Sequence, residues 1–183
     1  MSWQQPKKRQ INIDSLKIYY KMSDPKRDEE GLALLLEENV NEFNEWRLKN
    51  LTLKLDFTGT DFSNKDISKA YLNGVNFTEC DFTNSIVMGT NYVQSNLTRT
   101  NFESSDMSEA LIMYATVKDS NISKSQLSNT NFMWSDLQNS DFRQSNMYKT
   151  IFVEADLRNA NTEGLDKNNA YLKYAKLKGT SWE

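Results

Sequence analysis

NFTEC-DFTNS-IVMGT-NYVQS-NLTRT-NFESS, residues 76–105, repeats one pattern every five residues. The second residue of each unit is large and apolar: Phe77, Phe82, Val87, Tyr92, Leu97 and Phe102. The register runs outward from this stretch without a slip. Stepping by five from Phe57 to Trp182 meets 24 apolar residues in 26. The exceptions are Thr162 and Lys167, beside Gly164, where a local bulge that turns Lys167 toward water is expected. Two residues before each of these the side chain is nearly always small, as at Thr60, Ala70, Cys80, Ser85, Thr90 and so on to Thr180. The residue between is most often Asp or Asn. A period of five fits neither an amphipathic helix nor an alternating strand. It predicts a stacked-repeat architecture.

One five-residue unit cannot bury its large side chain alone, so neighbouring units must stack. A small inward residue beside each large one leaves room for the large side chain of the next unit. Ser and Thr often fill the small position, and their hydroxyls can bond nearby backbone. Gly is scarce and no Pro follows Pro25, so nothing interrupts the stack.

Units such as TDFSN, TNFES, SDLQN and ADLRN in unbroken tandem resemble the pentapeptide-repeat family. The resemblance covers about 55–183. It implies an all-β solenoid, a right-handed quadrilateral β-helix with four units per coil and about six coils. The Leu/Phe and the small residue would point inward and the other three positions outward.

Residues 1–50 differ in kind. MSWQQPKKRQ reads as a flexible tail over 1–10, and 11–23 as a mixed or extended segment. Asp24 and Pro25 are a helix start, Asp as N-cap and Pro at the first helical position. Asp28, Glu29 and Glu30 suit the early turns. Leu32, Leu35, Leu36, Val40, Phe43 and Trp46 recur at helical spacing, so one helix is expected over about 25–49. The EFNEWRLKN stretch resembles a segment that precedes the repeats in many bacterial members of the family. A terminal helix of this kind acts as cap or cover, with 51–183 forming the β-helix.

Four units per coil place residues 20 apart on one side of the column. Sorted this way, three sides are polar outside, with Ile86 and Met88 on the third as exceptions. The second carries Asp61, Asp81, Asn101, Asn121, Asp141 and Asn161. The fourth does not follow: Tyr71, Val93, Leu111, Met113, Tyr114, Met133, Trp134, Ile151, Val153, Tyr171 and Tyr174 all fall on outward positions. These eleven form the candidate interaction face. A contiguous apolar patch calls for a covering. The chain's own N-terminal segment, a second copy in a homodimer, or another protein would each serve.

Composition narrows the function class. There is no His, which removes the commonest general base near neutrality and the commonest metal ligand. No Gly-rich phosphate loop or paired-Cys spacing occurs. The expectation is a non-enzyme with no cofactor, no metal and no small-molecule substrate. The single Cys80 sits at a small inward position, as a buried inert thiol would. It excludes an internal disulfide and suits a reducing compartment. No apolar h-region follows the basic start, and no window approaches a transmembrane span, so a cytoplasmic bacterial protein is expected.

Binding is therefore the expected function, as a protein-interaction module or scaffold. The resemblance adds alternatives: some family members imitate duplex DNA and engage type II topoisomerases such as gyrase, and some resemble effectors delivered to a host. DNA carries a charge per ~1.7 Å, so a ~30 Å mimic would want on the order of 18 net negative charges. Residues 51–183 carry 13 basic and 16 acidic residues, a net −3. That balance argues against DNA mimicry and against nucleic acid as a partner.

Overall fold

The computed structural model describes residues 25–183. From Asp56 onward the chain winds a column in which every bridge joins residues 20 apart, all parallel: Asp56 to Asn76, Asp61 to Asp81, Asp66 to Ile86, Tyr71 to Asn91, and on to Asp156 with Lys176. Only one pair of rungs is long enough to count as strands, β1 (Thr150–Ile151) with β2 (Ala170–Tyr171). The rest are single-residue bridges, because every unit turns a corner before a strand can extend.

The corner has a fixed chemistry. The small residue's N–H donates to the carbonyl of the central residue three back, as from Thr60 to Phe57 (3.1 Å). The second turn residue lies in the left-handed region, as a type II turn requires. Gly59, Gly74 and Gly89 take it freely. Lys69, Glu79, Arg99, Tyr114 and Trp134 are held there too, at φ 56–62. Each non-Gly residue so placed costs roughly 1–2 kcal/mol. From Gly59 to Gly179 not one residue at this position is β-branched, the side-chain class that tolerates it least. That absence is a signal of the corner written in the sequence.

The outward Asp or Asn tightens the same turn. Its Oδ1 accepts the N–H two residues on: Asp61 from Ser63 (2.8 Å), Asp81 from Thr83 (2.9 Å), Asn131 from Met133 (3.0 Å). This short side chain bonding its own backbone is why Asp and Asn recur.

Inside, residues of one side stack. Phe62, Phe82 and Phe102 lie with ring centroids 4.8 Å apart at each step, nearly parallel. Phe132 and Phe152 do the same at 5.3 Å. Rings of adjacent sides meet edge to face, as Phe77 with Phe82. Hydroxyls at the small position donate to the central carbonyl of the coil below: Ser95 to Leu72, Ser120 to Leu97, Thr150 to Leu127, each 2.7 Å. Cys80 makes the same contact to Phe57 (2.9 Å), and burial pushes its thiol up to about 12.

The N-terminal helix is two helices, α1 (Pro25–Leu36) and α2 (Val40–Lys49), where the sequence reading gave one over 25–49. The break is a Schellman-type end. Glu38 turns left-handed at φ 60, its N–H bonds Leu35 O, and Asn39 N–H bonds Leu34 O. The expectations for 1–24 lie outside the described residues.

This hairpin sits on the end of the column and substitutes for a missing coil. Glu38 Oε2 accepts Asp66 N–H, Asn44 Oδ1 accepts Tyr71 N–H, and Asn44 Nδ2 donates to Lys69 O. Arg47, 2% exposed, donates to the carbonyls of Asn50, Leu53 and Asn73. Phe43 and Leu35 close the apolar end. The hairpin is thus an end cap. It does not supply the ~37 Å helix that the covering of the fourth side would have needed.

One rung departs from the column. Lys167–Asn169 forms a 3₁₀ turn, with Asp166 accepting Asn168 N–H, and Lys167 is exposed. An unpaired ammonium is too costly to enclose. Thr162, expected to share the irregularity, is in register and buried, with Asn161 bridged to Asp141. The second cause is Leu165, a large residue at the small inward position and only half-buried. Overpacking there pushes the chain out.

Candidate interaction face

The fourth side is built from the units beginning at Tyr71, Asn91, Leu111, Asn131, Ile151 and Tyr171, joined by their bridges. Inside it matches the other sides: Leu72, Tyr92, Ile112, Phe132 and Phe152 are buried. Outside it differs. Of its outward residues from Tyr71 to Tyr174, only Glu154 and Lys173 are charged.

Six of the eleven candidate residues are exposed: Tyr71, Leu111, Tyr114, Trp134, Tyr171 and Tyr174. The other five, Val93, Met113, Met133, Ile151 and Val153, are half-buried between them. At the centre Tyr114 and Trp134 stack at 4.7 Å and 12°, with 54% and 42% exposure. Both sit at the strained left-handed corner. Asn131 Nδ2 reaches Met113 Sδ at 3.3 Å, which fixes the rung between them.

The side also gives up a stabilising device. On the second side the first residue of every unit from Asp61 to Asn161 is Asp or Asn. On the fourth, Tyr71, Leu111, Ile151 and Tyr171 replace it, and only Asn91 and Asn131 cap their turns. Four turn N–H groups lose their side-chain acceptor in exchange for apolar surface.

Nearly all the charged residues lie elsewhere, and several are paired. Glu79 meets Arg99, Glu103 meets Lys124, and Asp141 meets Arg143, each at 2.6 Å. The Arg143 hydrogen bond holds the Asp141 carboxyl below its ordinary range, and Lys124 does so for Glu103. Asp156 pairs with Arg158 (2.7 Å) and Lys176 (3.2 Å). The Arg158 hydrogen bond is the main cause that lowers it to about 2. Glu103, Lys124, Asp141 and Arg143, with Asn121, Ser123 and Asn139, line a polar groove of about 440 Å³ along the first and second sides. Among the described residues no cluster of His, Cys, Asp and Glu could hold a metal, and no helix is long and apolar enough to cross a membrane.

The family profile of pentapeptide repeats matches residues 55–89 and 125–164, in eight copies. This is a pentapeptide-repeat protein. The profile's second match ends at Gly164, just before the distorted rung, whereas the bridges continue unbroken across 90–124. The fold that goes with these repeats is the right-handed quadrilateral β-helix. Among solved structures the pentapeptide-repeat chain is similar to a pentapeptide repeat protein of the Arabidopsis thaliana thylakoid lumen, at 22% identity and TM-score 0.43 over 56% of this chain and 68% of that one. It is similar to HetL, involved in heterocyst differentiation regulation in the cyanobacterium Nostoc, at 20% and 0.36 over 70% and 77%. It is also similar to QnrB1, a plasmid-mediated fluoroquinolone resistance protein, at 17% and 0.41 over 67% and 81%. No curated protein matches the chain.

Proposed function

We infer that this protein is a non-catalytic interaction module whose fourth side binds a protein surface. One observation carries the reading. At Tyr71, Leu111, Ile151 and Tyr171 an apolar side chain stands where most units of the other sides place an Asp or Asn, Ile86 being the one apolar residue at this position on those sides. Folding alone favours the cap, so the apolar choice points to a binding role. Tyr, Trp and Met are also the residues that dominate interface cores. The stacked Tyr114–Trp134 pair is the centre of the site.

Imitation of duplex DNA fits less well. The 13 basic residues of 51–183 offset 16 acidic ones to a net −3, and five of those carboxylates, Glu79, Glu103, Asp136, Asp141 and Asp156, have a Lys or Arg within 4 Å. A supercoiling assay with purified gyrase is expected to show neither inhibition nor drug protection.

The main test uses the full chain with a photo-crosslinking residue at position 114, beside Trp134→Asp in the same background. Crosslinks to one defined protein, or to a second copy, that disappear with Trp134→Asp support the reading. Crosslinks unchanged by that substitution, or none from a folded protein, overturn it.

A further inference from the structure

The distorted rung opens a cleft that shares only Tyr171 with the fourth-side face. In the regular column, each central N–H and each left-handed N–H donates to the coil above, as Leu127 to Asn146 O and Asn129 to Tyr148 O. Each outward N–H donates to the coil below, as Asn146 to Ser125 O. Among the described residues this pattern fails in the middle of the ladder only between Gln144 and Lys149. Gln144 N–H donates to no carbonyl, nor do the N–H groups of Met147 and Lys149, and Ser145 O accepts no N–H from Asp166. The 3₁₀ turn has carried 166–169 away from Ser145, Met147 and Lys149. The ladder resumes at once with Thr150 and Ala170.

What remains is one rung's worth of strand edge inside an otherwise closed column. Beside it lies a cleft of about 240 Å³ lined by Tyr148, Lys149, Asn168, Asn169, Ala170 and Tyr171. Both tyrosine rings are more than half exposed. Lys149 is the one charged group in the lining, its ammonium 5.1 Å over the Tyr148 ring. The Asp166 carboxylate is already engaged by Asn168, through both its backbone N–H and its side-chain amide.

We propose that this cleft binds an extended, acidic peptide segment that takes the place of the missing rung. The register specifies the ligand. Its first residue gives an N–H to Ser145 O and a carbonyl to Met147 N–H. Its third residue gives a carbonyl to Lys149 N–H. This is strand addition at an open edge, where main-chain bonds supply affinity and flanking side chains supply selectivity. The tyrosine rings flank the peptide, and the Lys149 ammonium favours a carboxylate over a cation.

The test titrates ¹⁵N-labelled full-length protein with acetyl-Thr-Asp-Val-Asp-Thr-amide, and separately with the same peptide carrying Lys for Asp. Amide shifts are expected to centre on Met147 and Lys149, with the acidic peptide about tenfold tighter. Tyr148→Ala, an exposed position, should weaken binding without altering the fold. Leu165→Ala with Lys167→Leu restores the repeat pattern, closes the rung and should abolish binding. Hydrogen exchange should find Met147 and Lys149 unprotected beside slow Leu127 and Asn129. Four results would overturn the proposal: equal protection of these amides, shifts centred elsewhere or absent at millimolar peptide, binding retained by the double variant, or no preference for the acidic peptide. Shifts of the same amides with protein concentration alone would assign the cleft to a second copy instead.

Discussion

The second and fourth sides of the column share one interior and differ outside. Phe82 and Phe102 on one, Phe132 and Phe152 on the other, are fully buried and stacked nearly parallel, at 4.8 and 5.3 Å. Outward, the second side runs Asp61, Asp81, Asn101, Asn121, Asp141, Asn161, and the fourth alternates Tyr71, Asn91, Leu111, Asn131, Ile151, Tyr171. The inward frame therefore makes the fold. The Asp or Asn of each unit improves a turn that forms without it, so that position is free to carry binding surface.

The largest expected effect tests the shared interior. Phe102→Ala and Phe132→Ala should each cost about 3–5 kcal/mol, read from denaturant melts. A difference of several kcal/mol between them would break the equivalence of the two interiors.

Tyr92 sharpens it. Its ring fills the fourth side's core, but its buried hydroxyl has no partner. Burying an unpaired hydroxyl costs about 1–3 kcal/mol. Tyr92→Phe should therefore raise stability, seen as a higher melting temperature.

Acid should separate the charged sides from the fourth. Asp156, on the first side, is lowered to about 2 in the folded chain by Arg158 and Lys176. A depressed carboxylate contributes stability above its unfolded value, near 4, and loses it as pH falls toward 2. Asp156→Asn should flatten the stability profile between pH 4 and 2 and cost about 1–2 kcal/mol at pH 7, discounted for its half-exposed partners. It keeps an acceptor for the Arg158 N–H.

The smallest effect tests the exchange of turn cap for surface. Asn121→Leu should cost about 0.5–1.5 kcal/mol, and Leu111→Asn should return a similar amount. Leu111→Asn should also weaken the association proposed for the fourth side. A Leu111→Asn variant no more stable than the parent would mean the outward Asp or Asn contributes nothing.

Much of this was legible because the repeat is local. The central residues Phe57 to Leu157, the Ser and Thr hydroxyls beneath them and the apolar fourth side all follow from a frame of five and four units per coil. The distorted rung was half legible. Lys167 announced it, but Thr162 was misread, since a threonine hydroxyl finds a partner inside and an ammonium does not. Leu165 carried no signal of its own because the same position also holds Lys65 and Val75, where the ladder stays intact.

The N-terminal region shows the opposite balance. Helical spacing from Leu32 to Trp46 is continuous across Glu37–Asn39, and no Gly or Pro there marks the break. A left-handed Glu38 is a penalty that tertiary contact offsets. Folding α2 back places Phe43 in the core, Asn44 on Tyr71 N–H and Arg47 on three carbonyls. The five-residue period by itself determined the column, its inward residues and its sides, because each unit repeats the same short-range contacts. Where the helices dock, and where the ladder opens at Met147 and Lys149, was decided by the tertiary structure. Both depend on which backbone groups lack a partner, and that is a property of neighbouring coils.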